Sequence, residues 1–178
     1  INTDASGQGS LVYGKTSDHI LALTTILVGG ERLDSGPVSL QQAQTLSEQE
    51  NAGGRLYRQA LDTCIGYRDE IEAKFPPLNR FLTGYDLKHC YDPEHNNLDL
   101  SRLIAGSEGT LGFVAEAKLN ITPIPKYRTL INVKYSDFQA ALRNAPFLVQ
   151  ANATSVETID SKVPVSYTHL RAHETDSY

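Results

Sequence analysis

The run of residues 106–112 has the composition best suited to chemistry on a bound group. It places three glycines and two small hydroxyl residues in seven positions: Gly106, Ser107, Glu108, Gly109, Thr110, Leu111 and Gly112. A turn this rich in glycine lets the backbone approach a flat or anionic ligand closely. A second turn of small residues, 3–10, lies about a hundred positions upstream. We therefore expect the two turns to form two walls of one cofactor site.

Two familiar nucleotide-binding templates do not fit residues 106–112. A phosphate-binding loop would close with Gly-Lys-Ser or Gly-Lys-Thr and lead into a helix, and neither feature follows here. The dinucleotide fingerprint also needs a helix after Gly-x-Gly-x-x-Gly, whereas Gly106, Gly109 and Gly112 are spaced three apart and lead into an alternating strand. A tight turn that enters a strand and binds nothing remains the alternative.

The histidines do not form a metal-binding pattern. His19 begins an apolar stretch, which favours a hydrogen-bonded structural role. His89 and His95 flank a polar loop with other potential ligands, but they lack paired spacing on a rigid element. His169 and His173 are spaced as in a zinc helix, yet the intervening residues do not supply the glutamate that this motif needs. We predict no metal site.

Composition narrows the class of protein further. The chain has 178 residues, 40% of them apolar, and a net charge of −5, which is ordinary for one globular domain or one domain and part of another. This charge offers no basic surface for nucleic acid or an anionic membrane, so we expect a cytoplasmic protein with no clear membrane association. Cys64 and Cys90 are predicted to be reduced thiols. The absence of any methionine indicates an internal fragment.

The elements that position the first turn are readable from hydrophobic spacing. Residues 20–28 are apolar at nearly every position, which predicts a strand covered on both faces. Gly29-Gly30 predicts a hairpin, and the polar residues 34–50 predict a surface excursion. A helix is expected over 52–75 and ends at Pro76-Pro77. Its apolar face comprises Leu56, Ala60, Cys64, Tyr67, Ile71 and Phe75.

Further elements lead to the second turn and continue beyond it. We expect a polar loop at 92–97, a helical turn near 100–104, and a strand at 111–121. Residues 122–125 read as a stiff linker. The strand should bury one alternating face, made of Leu111, Phe113, Ala115, Ala117 and Leu119.

A strand–helix–strand unit is expected after the linker. Residues 128–135 and 153–159 read as strands, and residues 136–139 form a capping box that opens the helix between them. Pro146 is expected to end or kink this helix. Residues 165–174 lose both periodicities and resemble a translated sequencing adapter, so we expect 164–178 to be a non-native tail.

Four stretches, in order along the chain, resemble the FAD-linked oxidase family, whose fold is similar to that of vanillyl-alcohol oxidase and p-cresol methylhydroxylase. They are the small-residue turn and strand entry at 3–20, the hairpin at 27–33, Thr-Gly-Tyr-Asp-Leu at 83–87, and the turn at 106–112. The similarity covers roughly residues 1–163. Within the family it is greatest to the long bacterial D-2-hydroxyglutarate dehydrogenases, which carry an iron–sulfur region downstream.

The resemblance implies an α+β fold and a flavin site. Residues 1–125 would be the C-terminal portion of an FAD-binding domain of type 2 (PCMH-like), without its first pyrophosphate loop. Residues 126–163 would begin a ferredoxin-like substrate domain. The implied FAD contacts are Thr3, Asp4, Ala5, Ser6 and Gly7 in the first turn, and Glu108, Gly109, Thr110, Leu111, Gly112, Phe113 and Val114 in the second. Glu108 either bonds the cofactor or braces its own turn, and Thr16 and Asp18 satisfy backbone donors.

The resemblance also implies a reaction. A D-2-hydroxy acid, D-2-hydroxyglutarate by preference, would be oxidised to the 2-oxo acid by hydride transfer to the flavin. Electrons would pass to an acceptor of unknown identity, with an iron–sulfur cluster in the missing C-terminal part. The catalytic residues would lie outside this chain and are unknown. The alternatives are a D-lactate or glycolate dehydrogenase subunit and a non-catalytic flavin-binding or scaffold module.

Overall fold

The computed structural model describes residues 1–78 and 84–159, and the chain divides into two compact units, Ile1–Pro123 and Ile124–Tyr178. The helices are α1 (Ser10–Tyr13), α2 (Leu40–Ser47), α3 (Ala52–Gly66), α4 (Arg68–Lys74), α5 (Leu87–Cys90), α6 (Ser101–Ile104) and α7 (Phe138–Gln150). The strands are β1 (Ile20–Leu27), β2 (Arg32–Ser35), β3 (Pro37–Ser39), β4 (Tyr91–Asp92), β5 (Asn97–Asp99) and β6 (Gly112–Leu119). The expected α+β class is confirmed.

The first unit contains two antiparallel sheets, with strand orders β2-β1-β6 and β3-β5-β4. The Gly29-Gly30 hairpin between β1 and β2 is confirmed, because the Leu27 amide donates to the Glu31 carbonyl at 2.8 Å. Both glycines have positive φ, of 107° and 88°, which only glycine adopts without strain. The hairpin therefore fixes the register of β2 against β1.

The prediction that β1 is covered on both faces is wrong. Ile20, Leu23 and Leu27 are buried, but Leu21 on the opposite face is 47% exposed. Helices α2 and α3 contribute to the core on one side only, so the other face of the sheet remains open.

The predicted buried face of β6 is also wrong. Gly112 is buried and Val114 packs against the core, whereas Phe113 is 71% exposed. A Cβ at Gly112 would lie 2.5 Å from the Ile26 carbonyl oxygen. The close approach of the two backbones at this glycine places Gly112 and Val114 on the inner side, whereas all later residues of β6 are exposed.

Residues 34–50 are not a surface excursion, as the sequence had predicted. They form the end of β2, then β3 and α2, and Ala43 of α2 is fully buried. Ser39 caps α2 reciprocally with Gln42, a capping-box pattern that the sequence contains. Helix α2 was not predicted because most of its residues are polar and only one side of this short helix is apolar. The loop expected at 92–97 is likewise shorter, since it joins β4 and β5.

The predicted helix over 52–75 is two helices, α3 and α4, separated at Tyr67. Tyr67 is 61% exposed, contrary to prediction, and Tyr57 takes the buried aromatic position at 3% exposure. Ala60, Cys64 and Ile71 are buried as expected. The end of α4 before Pro76-Pro77 is confirmed.

In the unit that begins at Ile124, the predicted helix is confirmed as α7. Its N-cap is Asp137, whose carboxylate accepts the Ala140 amide at 2.8 Å, and not the predicted Ser136 box. The helix continues through Pro146, so of the two predicted effects of this proline, an end or a kink, the helix end is wrong. Residues 128–135 and 153–159 are not strands; among the described residues no neighbouring strand pairs with them. Hydrogen bonding to a neighbour is what makes an extended segment a stable strand.

Candidate functional site

The small-residue turn at 106–110 lies against the one at 3–7, near the start of the chain. The Ile1 carbonyl accepts both the Asp4 amide, at 2.9 Å, and the Gly106 amide, at 3.3 Å. The Glu108 amide donates to the Asn2 carbonyl at 2.9 Å. These main-chain bonds make the turns at 3–7 and 106–110 neighbours, although about a hundred residues separate them in sequence.

Both turns rely on left-handed backbone. Asp4 and Glu108 have φ values of 46° and 52°, and Gly106 and Gly109 both have 79°. Gly106 also allows close approach, since a Cβ there would lie 3.3 Å from Cβ of Asp4. Turns in which right-handed and left-handed residues alternate can direct main-chain amides into a concavity that attracts anions.

The predicted flavin contacts differ in exposure. Asp4 and Gly112 are buried, and Leu111 and Val114 are half-buried. The exposed members are Thr3, Ala5, Ser6, Gly7, Glu108, Gly109, Thr110 and Phe113. A ligand lying over the two turns would therefore meet exposed backbone and small side chains.

Several polar groups at the turns have no protein partner within the described part of the chain. The amides of Ala5, Ser6 and Gly109 donate to no other described residue. The Asn2 Oδ1 and Ser107 Oγ atoms are buried without a hydrogen bond to another described residue. Buried polar atoms of this kind are rare and are usually satisfied by water or a ligand.

Behind the first turn lies a buried ion cluster that the sequence did not reveal. The Lys15 ammonium is 2.6 Å from Asp4 Oδ2 and 3.3 Å from Asp86 Oδ2, and all three side chains are at most 5% exposed. Asp4 also accepts the Ser17 amide at 2.7 Å and the Ser17 hydroxyl at 3.1 Å. The Asp4 carboxylate thus points inward and holds its own turn.

Charges around this cluster set its protonation. Burial alone lowers the pKa of Lys15, but the hydrogen bond that Lys15 donates to Asp4 and the negative charges of Asp86 and Asp4 raise this pKa overall. Burial alone raises the pKa of Asp86. The hydrogen bond with His89, the charge of His89 and the charge of Lys15 outweigh this effect and lower the pKa overall. His89 Nδ1 lies 2.9 Å from both Asp86 oxygens. Both ions of the pair are therefore favoured at neutral pH.

Arg102 extends this cluster toward the surface. Its Nη1 donates to Asp18 Oδ1 at 2.9 Å and to Ser17 Oγ at 3.3 Å. Asp18 also accepts the Lys15 amide at 2.9 Å, and the Thr16 hydroxyl donates to the Ala5 carbonyl at 2.9 Å. The predicted role of Asp18 in satisfying a backbone donor is thus confirmed, whereas that of Thr16 is wrong, because its hydroxyl donates to a backbone acceptor.

A tyrosine ties the second turn to the ion cluster. The Thr110 hydroxyl donates to the Ser107 carbonyl at 2.6 Å, so the Tyr85 hydroxyl, 2.8 Å away, donates to Thr110 Oγ1. Tyr85 is the neighbour of Asp86 in sequence. Thr83, the first residue of the Thr-Gly-Tyr-Asp-Leu motif, lies outside the described residues.

Cys64, Cys90 and His95 have protein neighbours that give them structural roles. Cys64 and Cys90, distant in sequence, are both fully buried free thiols. The hydrogen bond with Cys64 and burial raise the pKa of Cys90. His95 Nδ1 lies 2.6 Å from Asp92. Within residues 1–78 and 84–159, no three metal-binding side chains converge, and no helix is long and apolar enough to cross a bilayer.

Known proteins resemble this chain over most of its length. It is 56% identical over 163 residues to a D-2-hydroxyglutarate dehydrogenase of Pantoea ananatis and to one of Escherichia coli, covering 92% of this chain. A glycolate oxidase subunit GlcD of Bacillus subtilis is 24% identical over 85% of the chain and 21% of that protein. The resemblance to the FAD-linked oxidase family is confirmed. The chain spans about 16% of the length of the two dehydrogenases. No family model and no solved structure matches it.

Proposed function

We propose that this chain is a segment of an FAD-dependent oxidoreductase that oxidises D-2-hydroxyglutarate to 2-oxoglutarate. The observation that carries the proposal is the apposition of two small-residue turns in a chain 56% identical to dehydrogenases of that name. The segment would supply part of the cofactor site. The substrate-binding and catalytic residues would lie in the remaining length of the protein.

The residues present fit a flavin nucleotide. Exposed amides at Ala5, Ser6 and Gly109 offer donors to a pyrophosphate, and oriented amides favour an anion. Ser107 Oγ and Asn2 Oδ1, which have no hydrogen-bond partner among the described residues, are further hydrogen-bonding atoms in the same two segments. FAD, when bound, supplies the hydride acceptor, and the protein supplies binding and orientation.

Each predicted contact then has a specific task. The turn at 3–7 and residues 108–114 would hold FAD mainly through backbone. Asp4 would act indirectly, because its carboxylate is occupied by Ser17 and Lys15. We assign residues 1–125 to a PCMH-like FAD-binding domain, 126–163 to the beginning of a ferredoxin-like substrate domain, and 164–178 to a non-native tail. An electron acceptor, and an iron–sulfur cluster elsewhere in the protein, remain implications of the resemblance.

A second candidate activity is oxidation of glycolate or D-lactate. It is favoured only by the similarity to the glycolate oxidase subunit, which at 24% identity is far weaker than that to the D-2-hydroxyglutarate dehydrogenases. A flavin-binding module without activity is the candidate from another class.

Dye reduction by the full-length protein distinguishes these functions. We expect D-2-hydroxyglutarate to reduce the dye with the highest kcat/KM, and D-lactate and glycolate to react more slowly. Preference for one of the other acids would select the second candidate. A full-length protein that retains flavin but oxidises none of the three acids would select the module.

A matched pair of glycine variants tests where the flavin binds. Gly109→Val places a side chain over the exposed amides, so we expect it to weaken FAD binding by at least about tenfold in the full-length protein. Gly30→Val is the control, because Gly30 has a similar positive φ and is also exposed, but lies in the β1–β2 hairpin. Equal loss of FAD in both variants would contradict the assigned position. FAD fluorescence quenching measures the affinity.

A further inference from the structure

Residues 84–86 are linked to both turns, directly to the second and through Lys15 to the first. Asp86 reaches the first turn through Lys15, which lies 2.6 Å from Asp4. Tyr85 reaches the second turn through Thr110 at 2.8 Å. The Gly84 carbonyl lies 3.8 Å from the place of a Cβ on Gly106. One short segment thus connects the two walls of the proposed site.

We propose that Lys15, Asp86 and Tyr85 form a clamp that positions the two turns for the flavin pyrophosphate. The inference rests on the proposed function and assigns three positioning residues that make no contact with the reacting atoms. Lys15 holds the buried carboxylate of Asp4, and the residues that follow it, Ala5 and Ser6, are exposed. Tyr85 fixes the hydroxyl of Thr110 on the opposite wall.

The arrangement of charge and burial explains why a clamp is built this way. Two nearly inaccessible carboxylates come from segments that are far apart in sequence, and the ammonium between them holds both. Burial makes each of these pairings costly to break, because a charge that loses its partner inside the protein is strongly disfavoured. The connection to the second turn is a single neutral hydrogen bond. It should therefore make the smaller contribution to flavin affinity.

Flavin affinity of full-length variants tests the clamp. We expect Asp86→Asn to raise the FAD dissociation constant at least about tenfold, and Tyr85→Phe to raise it about threefold, as loss of one neutral hydrogen bond predicts. Lys15→Arg keeps the charge and should restore most of the affinity lost in Lys15→Met. Ile71→Ala is the control. Ile71 lies on α4 and is 5% exposed, so its truncation should destabilise the core, and Ile71 belongs to neither turn.

A flavin-free measurement separates positioning from global stability. In Tyr85→Phe, amide hydrogen exchange at residues 106–110 should increase while exchange in α3 stays unchanged; in Asp86→Asn the increase should include residues 4–7. Folded variants with wild-type FAD affinity and wild-type exchange would overturn the clamp, and so would an affinity loss in Ile71→Ala equal to that in Asp86→Asn. If Asp86→Asn does not fold, Tyr85→Phe decides alone. Wild-type protein that binds no FAD would overturn the proposed function itself.

Discussion

Two ion clusters in the first unit have similar distances and opposite surroundings. In one, Lys15 lies 2.6 Å from Asp4 and 3.3 Å from Asp86, with side-chain exposures of 3–5%. In the other, Arg32 donates to Asp34 at 3.0–3.1 Å, with exposures of 62% and 63%. Judged by the nitrogen–oxygen distances alone, the two sets of ion pairs would contribute similarly to stability. Burial decides what each contributes.

The difference follows from solvation. Water screens an exposed pair and offers each ion an equally good partner, so the pair contributes little to stability. A buried pair has already lost its hydration, and removal of one partner leaves an uncompensated charge. The Lys15 cluster should therefore respond strongly to substitution and the Arg32 pair hardly at all. The following predictions test this contrast, from the largest expected effect to the smallest.

Lys15→Met should lower the free energy of unfolding by about 3–5 kcal/mol, because it leaves the buried Asp4 carboxylate without its cation and removes one of the two partners of buried Asp86, which keeps only His89 among the described residues. Urea denaturation followed by far-UV circular dichroism measures the change. Lys74→Met is the matched control, since Lys74 pairs with Glu70 at 72% exposure and should leave the midpoint nearly unchanged. Similar midpoints for both variants would show that the Lys15 cluster has no special role.

Gly106→Ala should destabilise the protein by about 2 kcal/mol. About half of this comes from the positive φ of 79°, and the rest from crowding against Asp4 at 3.3 Å. Gly30→Ala has the same backbone penalty at φ 88° but meets nothing within 4 Å, so it should cost about 1 kcal/mol. Thermal unfolding of both variants measures the difference. Equal losses would mean that Asp4 yields easily and that its position is not fixed.

Stability should be greatest on a pH plateau bounded by the titration of the buried cluster. The pKa values of Asp86 and Asp18 are lowered in the folded protein, so their stabilisation is complete above about pH 4 and is lost as pH falls through the folded values. The pKa of Lys15 is raised, so its stabilisation is complete below about pH 10 and is lost above the folded value. Denaturation midpoints measured from pH 2 to 11 should show both limits, to be compared with Asp86→Asn.

Tyr57 complicates the alkaline limit and requires a control. Burial and the charge of Asp99 raise its pKa to about 12, so its ionisation also destabilises the folded protein at high pH. Tyr57→Phe removes that contribution and leaves the contribution of Lys15. A weaker acid limit in Asp86→Asn, where Asp18 still contributes, and a retained alkaline limit in Tyr57→Phe are the expected pattern. An unchanged acid limit in Asp86→Asn would indicate that exposed carboxylates control acid unfolding.

The turns and the hairpin were predictable from sequence because their glycines act locally. Gly29, Gly30, Gly106 and Gly109 all have the positive φ that a glycine-rich turn requires. Helix α3 was predictable for a similar reason, since its buried positions follow a regular period. These elements depend on residues only a few positions apart.

The ion cluster was not predictable, because its members are 11 and 71 residues apart and each is individually unremarkable. Lys15 comes directly after Gly14, and nothing in the neighbouring sequence distinguishes it from an exposed lysine. The outward face of β6 was missed for the same reason, since the close contact of Gly112 with β1 decides which side is buried. Tertiary contacts decided both features, and no periodicity encodes them.

Arg32→Gln should change the denaturation midpoint by no measurable amount, although it removes three hydrogen bonds to Asp34. Asp34 keeps the hydroxyl of Thr24 at 2.7 Å, and water replaces the guanidinium. Urea denaturation at low and high salt measures the result, and wild type and variant should differ little at either. A clear midpoint loss at low salt that disappears at high salt would mean that the exposed pair is stronger than its solvation allows. The contrast with Lys15 would then reflect charge geometry as much as burial.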